Sequence, residues 1–186
     1  MNLKQFSISL KEDKKLSKKE KTQMHDLLVK MYPAFKGLFD KHGYYSTIRP
    51  QMNFLIKRDK MLVATGKFLW RNVKLEIETV KLFAFGMVVA KEYQNRGLGT
   101  KLVQLSIENA SKRKADILYG STSNPKVKKM LTKLGFQRLT APIYYKDITT
   151  KEVKREREFV YVFEFNQGLL EKLNSLSRIY IGNGPI

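Results

Sequence analysis

Between Val88 and Val103 the chain reads VVAKEYQNRGLGTKLV. Gly97 and Gly99 follow Gln94, Asn95 and Arg96, and Thr100 comes directly after Gly99. An apolar run enters this stretch. A run spaced for a helix leaves it through Leu98, Leu102, Leu105 and Val103, Ile107, Ala110. The start of a helix carries backbone N–H groups without partners and the positive end of the helix dipole. Glycines let an outside group reach that backbone, so the segment has the makings of a phosphate cradle. Arg96 adds a mobile charge and Thr100 a hydroxyl. A dinucleotide fingerprint is excluded, because its third glycine would fall where Leu102 stands. The spacing of a Walker loop is absent as well.

The elements that must hold this turn follow from periodicity. KQFSISL alternates at Phe6, Ile8 and Leu10, which predicts a first strand over Lys4 to Leu10. Ser17 with Glu20 forms a capping box, so a helix begins near Lys18, with Met24, Leu27, Leu28 and Met31 on its apolar face. Pro33 interrupts it, and a short second helix ends at His42–Gly43. MNFLIKR and MLVATGKFLW flank Asp59–Lys60 as a hairpin. Arg71–Asn72 reads as a second turn, and VKLEIETVKLFAFGMVVA as one long strand with a bulge signal at Gly86. After the helix that follows Gly97 come a short strand, ILYGSTS, and a helix, NPKVKKMLTKLGF, opened by Pro125 and stopped by Gly135. REFVYVFEF reads as a strand and QGLLEKLNSL as a helix. The order predicts an α/β protein: a single central mixed β-sheet with helices on both faces.

Length suits a single domain, 1–186, with a core over about 4–165 and a C-terminal helix and tail over 166–186. The chain has no cysteine, which removes disulfides, thiolate metal sites and a cysteine nucleophile. No His/Asp/Glu cluster has metal-ligand spacing, so no metal is expected. His25 and His42 read as structural or exposed. The N-terminus lacks the apolar core of a signal peptide, and no run approaches the length of a membrane span. A soluble, cytoplasmic protein is the expectation. Thirty-six basic residues against seventeen acidic give a formal charge of +19. Such a field attracts nucleic acid or another acidic partner and repels polycations. Lys greatly outnumbers Arg, however, and most of this charge reads as a solvated surface.

MVVAKEYQNRGLGTKLV resembles the pyrophosphate-binding motif of the GNAT superfamily of N-acetyltransferases. SNPKVKKMLTKLGF resembles that family's second signature, an Asn opening a helix that ends in K-x-G-F. The resemblance runs from Lys4 to about Phe165 and implies the acyl-CoA N-acyltransferase fold with acetyl-CoA as co-substrate. It implies that amides from Asn95 through Arg96, Gly97, Leu98 and Gly99 to Thr100, introduced by Gln94, hold the pyrophosphate. Met87, Val88 and Val89 would pair their backbone with the pantetheine arm, in a splay beside ILYGSTS. Asn124 would bond the arm from the other side. The reaction implied is direct attack of a primary amine on the thioester in a ternary complex.

One position departs from the pattern. Many members carry a Tyr where Leu131 stands, and that Tyr protonates the leaving thiolate. Tyr144 and Tyr145 are the replacement acids considered, with Tyr119 behind them. A base for the amine is sought in Glu76 and Glu78, which share a face if KLEIETV is a strand. A second reading keeps the fold as a binding module with weak or no catalysis, associated with nucleic acid through the basic surface. Among acceptors, the charge favours a small amine metabolite or a protein amine over a polycationic antibiotic. The segment Leu139 to Glu158 reads as a basic lid over the acceptor. SRIYIGNGPI reads either as an edge strand or as a segment reaching a partner subunit in a homodimer.

Overall fold

The computed structural model describes residues 5–44, 48–76 and 78–184. Lys4, Ile77, Pro185 and Ile186, which figured in the expected first strand, central strand and C-terminal stretch, lie outside them. In chain order the strands are β1 (Ser7–Glu12), β2 (Met52–Arg58), β3 (Met61–Lys74), β4 (Thr79–Val89), β5 (Ile117–Ser121), β6 (Gln137–Leu139), β7 (Ile143–Lys146), β8 (Val153–Arg155), β9 (Val160–Glu164) and β10 (Ile179–Asn183). The helices are α1 (Lys18–Met31), α2 (Lys36–His42), α3 (Leu98–Lys112), α4 (Pro125–Lys133) and α5 (Leu169–Ser175). A seven-stranded mixed sheet has the order β1-β2-β3-β4-β5-β9-β6, and a three-stranded sheet the order β10-β7-β8. The mixed α/β architecture is the one expected.

The chain forms two compact units. One holds the residues up to Leu69 together with Gly86–Leu102; the other holds Trp70–Phe85 and everything from Val103 on.

In the first unit, Ser17 caps α1 by accepting from Glu20 N–H at 3.2 Å, and the Glu20 carboxylate accepts from Ser17 N–H at 3.1 Å. Each side chain satisfies a donor that the helix start leaves open. Met24, Leu27 and Leu28 of α1 and Phe39 of α2 pack with Leu55, Leu62 and Val88 in one core cluster. The β2–β3 turn places both Asp59 (φ 49°) and Lys60 (φ 67°) in left-handed conformations. That backbone matches the twist of a two-residue hairpin.

In the second unit, β4 runs parallel to β5 from Leu82↔Ile117 to Ala84↔Tyr119. β5 is antiparallel to β9 on its other side. A row of rings, Phe85–Phe136–Phe163–Phe165, runs with centroids 5.7, 5.5 and 5.1 Å apart. Gly135 precedes Phe136 at φ 89°, and a Cβ there would stand 3.2 Å from Phe163. The K-x-G-F end of α4 is therefore built for packing.

Two expectations are corrected. Arg71 and Asn72 lie inside β3 and not in a turn. The reversal falls instead between β3 and β4, where Leu75 N–H donates to Glu78 O at 2.9 Å. VKLEIETVKLFAFGMVVA is thus the end of one strand, a turn and the start of another. The predicted lid contains a hairpin, β7–β8. Asp147 shapes its turn by accepting from Thr149 N–H at 2.8 Å, Thr150 N–H at 3.1 Å and Lys154 Nζ at 2.7 Å. The C-terminal stretch forms β10, parallel to β7.

Candidate acyl-donor site and the chain's family

The glycine turn lies wholly in the first unit. β4 ends at Val89, Ala90 N–H donates to Val63 O at 2.9 Å, and a single 3-10 turn follows over Lys91–Tyr93. Gln94 then folds back, its Nε2 donating to Val89 O at 3.1 Å, which fixes the mouth of the turn. Asn95 (φ 58°) and Gly97 (φ 75°) are both left-handed, with Arg96 between them. Asn tolerates that conformation and Gly adopts it freely. Such alternation turns successive N–H groups toward one side, as in an anion-binding nest. The first α-type bond of α3 runs from Lys101 N–H to Gly97 O at 2.9 Å. The N–H groups of Leu98, Gly99 and Thr100 precede it and so have no partner within the helix. Leu98 and Leu102, each 1% exposed, anchor this first stretch of α3.

Charge around the turn is uneven. The Arg96 guanidinium lies 5.4 Å from the Tyr93 ring centre, and Arg58 of β2 lies 5.9 Å from the same centre. Among the described residues no carboxylate pairs with Arg96. The nearest acid in sequence, Glu92, is held by Lys30 at 2.7 Å, and that hydrogen bond keeps its carboxyl below the usual range. The donor set fits a diphosphate: bare amides, one free guanidinium and no competing anion. Along β4, Val88 is buried while Met87 and Val89 are half-buried, so the strand's end is anchored on one face.

The other predicted residues belong to the second unit. Asn124 caps α4, its Oδ1 accepting from Lys126 N–H at 2.9 Å, so the amide nitrogen is the end left for a ligand. Leu131, at the position where a Tyr was sought, is 1% exposed. Glu76 and Glu78 sit in the β3–β4 turn, outside any strand. No strand holds them on one sheet face, and Glu78 instead meets Lys172 at 3.4 Å. Tyr144 and Tyr145 are neighbours on β7 and so point to opposite faces. Tyr145 shares its face with buried Ile143; burial first, then the charge of Glu156, pushes its hydroxyl pKa up. Tyr119 is 2% exposed inside β5.

Two carboxylates of the first unit are buried. Asp13, 2% exposed, accepts from the Tyr44 hydroxyl, the Arg49 guanidinium and Asn53 Nδ2. Glu20, 5% exposed, accepts from Lys11 and Lys57, each at 2.8 Å. Only the capping box marked Glu20 in advance; nothing in the pattern DKK marked Asp13. Among the described residues no group of three or more His, Asp or Glu side chains is placed to hold a metal ion.

The sequence matches the model of the Acetyltransferase (GNAT) family over residues 21–136, and the chain belongs to that family. No curated protein matches it. Solved structures match at low identity. The ribosomal-protein-S18-alanine N-acetyltransferase from Escherichia coli is 17% identical with a TM-score of 0.56, over 87% of this chain and 96% of that one. A Streptococcus mutans UA159 protein is 16% identical with a TM-score of 0.57, over 86% and 99%. A Salmonella typhimurium protein described as an acetyltransferase, solved with its cofactor acetyl-CoA, is 12% identical with a TM-score of 0.51, over 86% and 95%. These likenesses concern the fold.

Proposed function

We propose that the chain acts as one catalytic domain that transfers an acetyl group from acetyl-CoA to a primary amine, within a ternary complex. The observation that carries this reading is the left-handed pair Asn95 and Gly97 ahead of the unpaired N–H groups of Leu98, Gly99 and Thr100. These amides, with Arg96, hold the diphosphate. The main chain of Met87, Val88 and Val89 pairs with the pantetheine arm, and Asn124 offers its Nδ2. Bound there, acetyl-CoA supplies an activated thioester to the amine. The chain has no cysteine to carry the acyl group itself, which is compatible with direct attack.

Proton handling falls to the chain's own side chains. Tyr145, protonated throughout the neutral range, is the preferred donor to the departing sulfur, and Tyr144 the alternative. Glu76 and Glu78 stay as base candidates, but their place in a turn weakens both. The acceptor is a small amine metabolite or a protein amine. A peptide with a free α-amino group is a good first choice, after the substrate named for the E. coli neighbour.

The test is the melting temperature with and without acetyl-CoA, beside Gly97→Glu. A ligand at 100 times its Kd that binds only the folded state adds about 2.7 kcal/mol. A rise in the wild type that vanishes in the variant is expected; no rise in the wild type overturns the proposal.

Buried Leu131, in place of the family's hydroxyl, favours one second reading. The fold would then serve as a binding module with weak or no turnover, associated with nucleic acid. Release of free CoA thiol in the presence of amines separates the two readings.

A further inference from the structure

From Ile117 to Lys146 the chain contains no Asp or Glu, and six Lys or Arg. This stretch spans β5, α4, β6 and β7 of the second unit. α4 alone, PKVKKMLTK, carries four lysines. Lys126, Lys129 and Lys133 are exposed and share one side of the helix, being three or four residues apart.

Phe159 stands beside this basic helix. It directly precedes β9 and is 42% exposed. Its main chain is tied to the end of β5, because Thr122 N–H donates to Phe159 O at 2.9 Å. Two cations rest on its ring: Lys128 Nζ at 3.8 Å and Arg138 at 4.5 Å from the centre. Among the described residues neither has a carboxylate partner.

Two acids, Glu156 and Glu158, come just before Phe159 in the chain. Glu156 accepts from the backbone N–H groups of Arg157 and Glu158 at 2.8 and 3.0 Å, and Glu158 meets Ser123 Oγ at 3.5 Å. Two like charges gathered on one ring repel each other, with only the ring quadrupole in compensation. A polyanion would relieve that repulsion. A planar ligand would also find an exposed ring to stack on.

We propose that this surface binds single-stranded nucleic acid. Lys128 and Arg138 contact phosphates, and Phe159 stacks a base. An acidic peptide would satisfy the cations but has no use for the ring. The surface belongs to the second unit, and the proposal does not depend on acetyl transfer.

The test uses the full chain and a labelled 12-nucleotide oligouridine, followed by fluorescence anisotropy from low to moderate salt. Variants are Phe159→Ala, Phe159→Trp, the pair Lys128→Gln with Arg138→Gln, and a control pair on α1, Lys18→Gln with Lys19→Gln. Loss of stacking weakens binding about tenfold in Phe159→Ala. Phe159→Trp restores it. The patch pair lowers the slope of log K against log salt by about 1.4, and the control pair changes it little. Unchanged melting temperatures show that each variant is folded. Three results would overturn the proposal: no binding at low salt, an affinity indifferent to Phe159, or equal losses in the patch and control pairs. Competition by an oligoglutamate of equal charge, with no dependence on Phe159, would assign the surface to acidic peptides instead.

Discussion

The ring of Phe85 lies on Gly120. A Cβ at Gly120 would stand 2.9 Å from Phe85 Cζ and 3.0 Å from Cε1. The contact comes one residue past the last pair of the β4–β5 ladder, Ala84↔Tyr119. Gly120 thus leaves room for a ring at the place where pairing stops. Phe85 cannot slide away freely, because Phe136 packs edge-on against it at 5.7 Å. Gly120→Ala should cost about 1–3 kcal/mol through overpacking. Urea denaturation measures it, and a wild-type midpoint would show that the ring yields without strain.

Arg71 supports the C-terminal strand. Its Nη1 donates to Ile181 O at 2.8 Å and Asn183 O at 2.7 Å, on either side of Gly182. Gly182 has φ 87°, and the β10–β7 register shifts at this point. The guanidinium holds a kinked strand end by its carbonyls, and burial lowers its pKa. Arg71→Met removes both bonds and should destabilise the protein by about 1–3 kcal/mol. Faster amide exchange confined to Ile179–Asn183 would mark β10 as the element released. Uniform exchange across the sheet would count against this account.

The capping box at Ser17 and Glu20 and the turn at Asp59–Lys60 were legible because local chemistry decides them. The glycine turn was legible for the same reason: few other patterns join a strand to a helix through Q-x-x-G-x-G. The β3–β4 reversal was not. Leu75 continues the alternation of β3 into the turn, and the loop carries no Gly, Pro or Asn to interrupt it, while Asn72 supplied a false signal inside the strand. The pairing of β10 with β7 was also hidden, since it joins segments thirty-six residues apart. Its parallel register depends on the buried Ile143 and Ile179, which sequence alone reads simply as apolar.

Acid should weaken the first unit through Glu20. Burial alone would raise this carboxyl, but hydrogen bonds from Lys11, Lys57 and Ser17 bring it down to about 2. A carboxyl depressed in the folded state stabilises above its unfolded pKa and loses that contribution as protons bind. Stability should therefore fall from about pH 4.5 toward pH 2, by about 3 kcal/mol at most. Glu20→Gln should flatten the pH dependence in this window while lowering stability at neutral pH. An unchanged slope in the variant would assign the acid transition to other groups.

Arg96 should act on donor affinity more than on turnover. It sits between the left-handed Asn95 and Gly97, and no carboxylate among the described residues competes for it. A guanidinium bonded to a phosphate contributes about 1.5–3 kcal/mol. Arg96→Ala should raise the KM for acetyl-CoA by about tenfold or more, with kcat little changed. Arg96→Lys should recover part of the loss, more at low salt than at high. A fall in kcat at constant KM would move Arg96 from holding the donor to the reaction itself.

Tyr144 and Tyr145 cannot both serve as the acid, since adjacent strand residues face opposite ways. Tyr144 pairs in register with Tyr180, which is 43% exposed, whereas Tyr145 lies on the face of buried Ile143. Burial also raises the Tyr145 pKa, so its hydroxyl holds its proton more firmly than an ordinary tyrosine. If it donates that proton, activity holds through the neutral range and falls only in strong alkali. Tyr145→Phe should then lower kcat by about 10²–10⁴-fold and remove the alkaline limb, while Tyr144→Phe stays near wild type. Equal, small effects of both changes would leave water as the proton source. That outcome fits Leu131 at the usual tyrosine position, because a thiolate departs without much help.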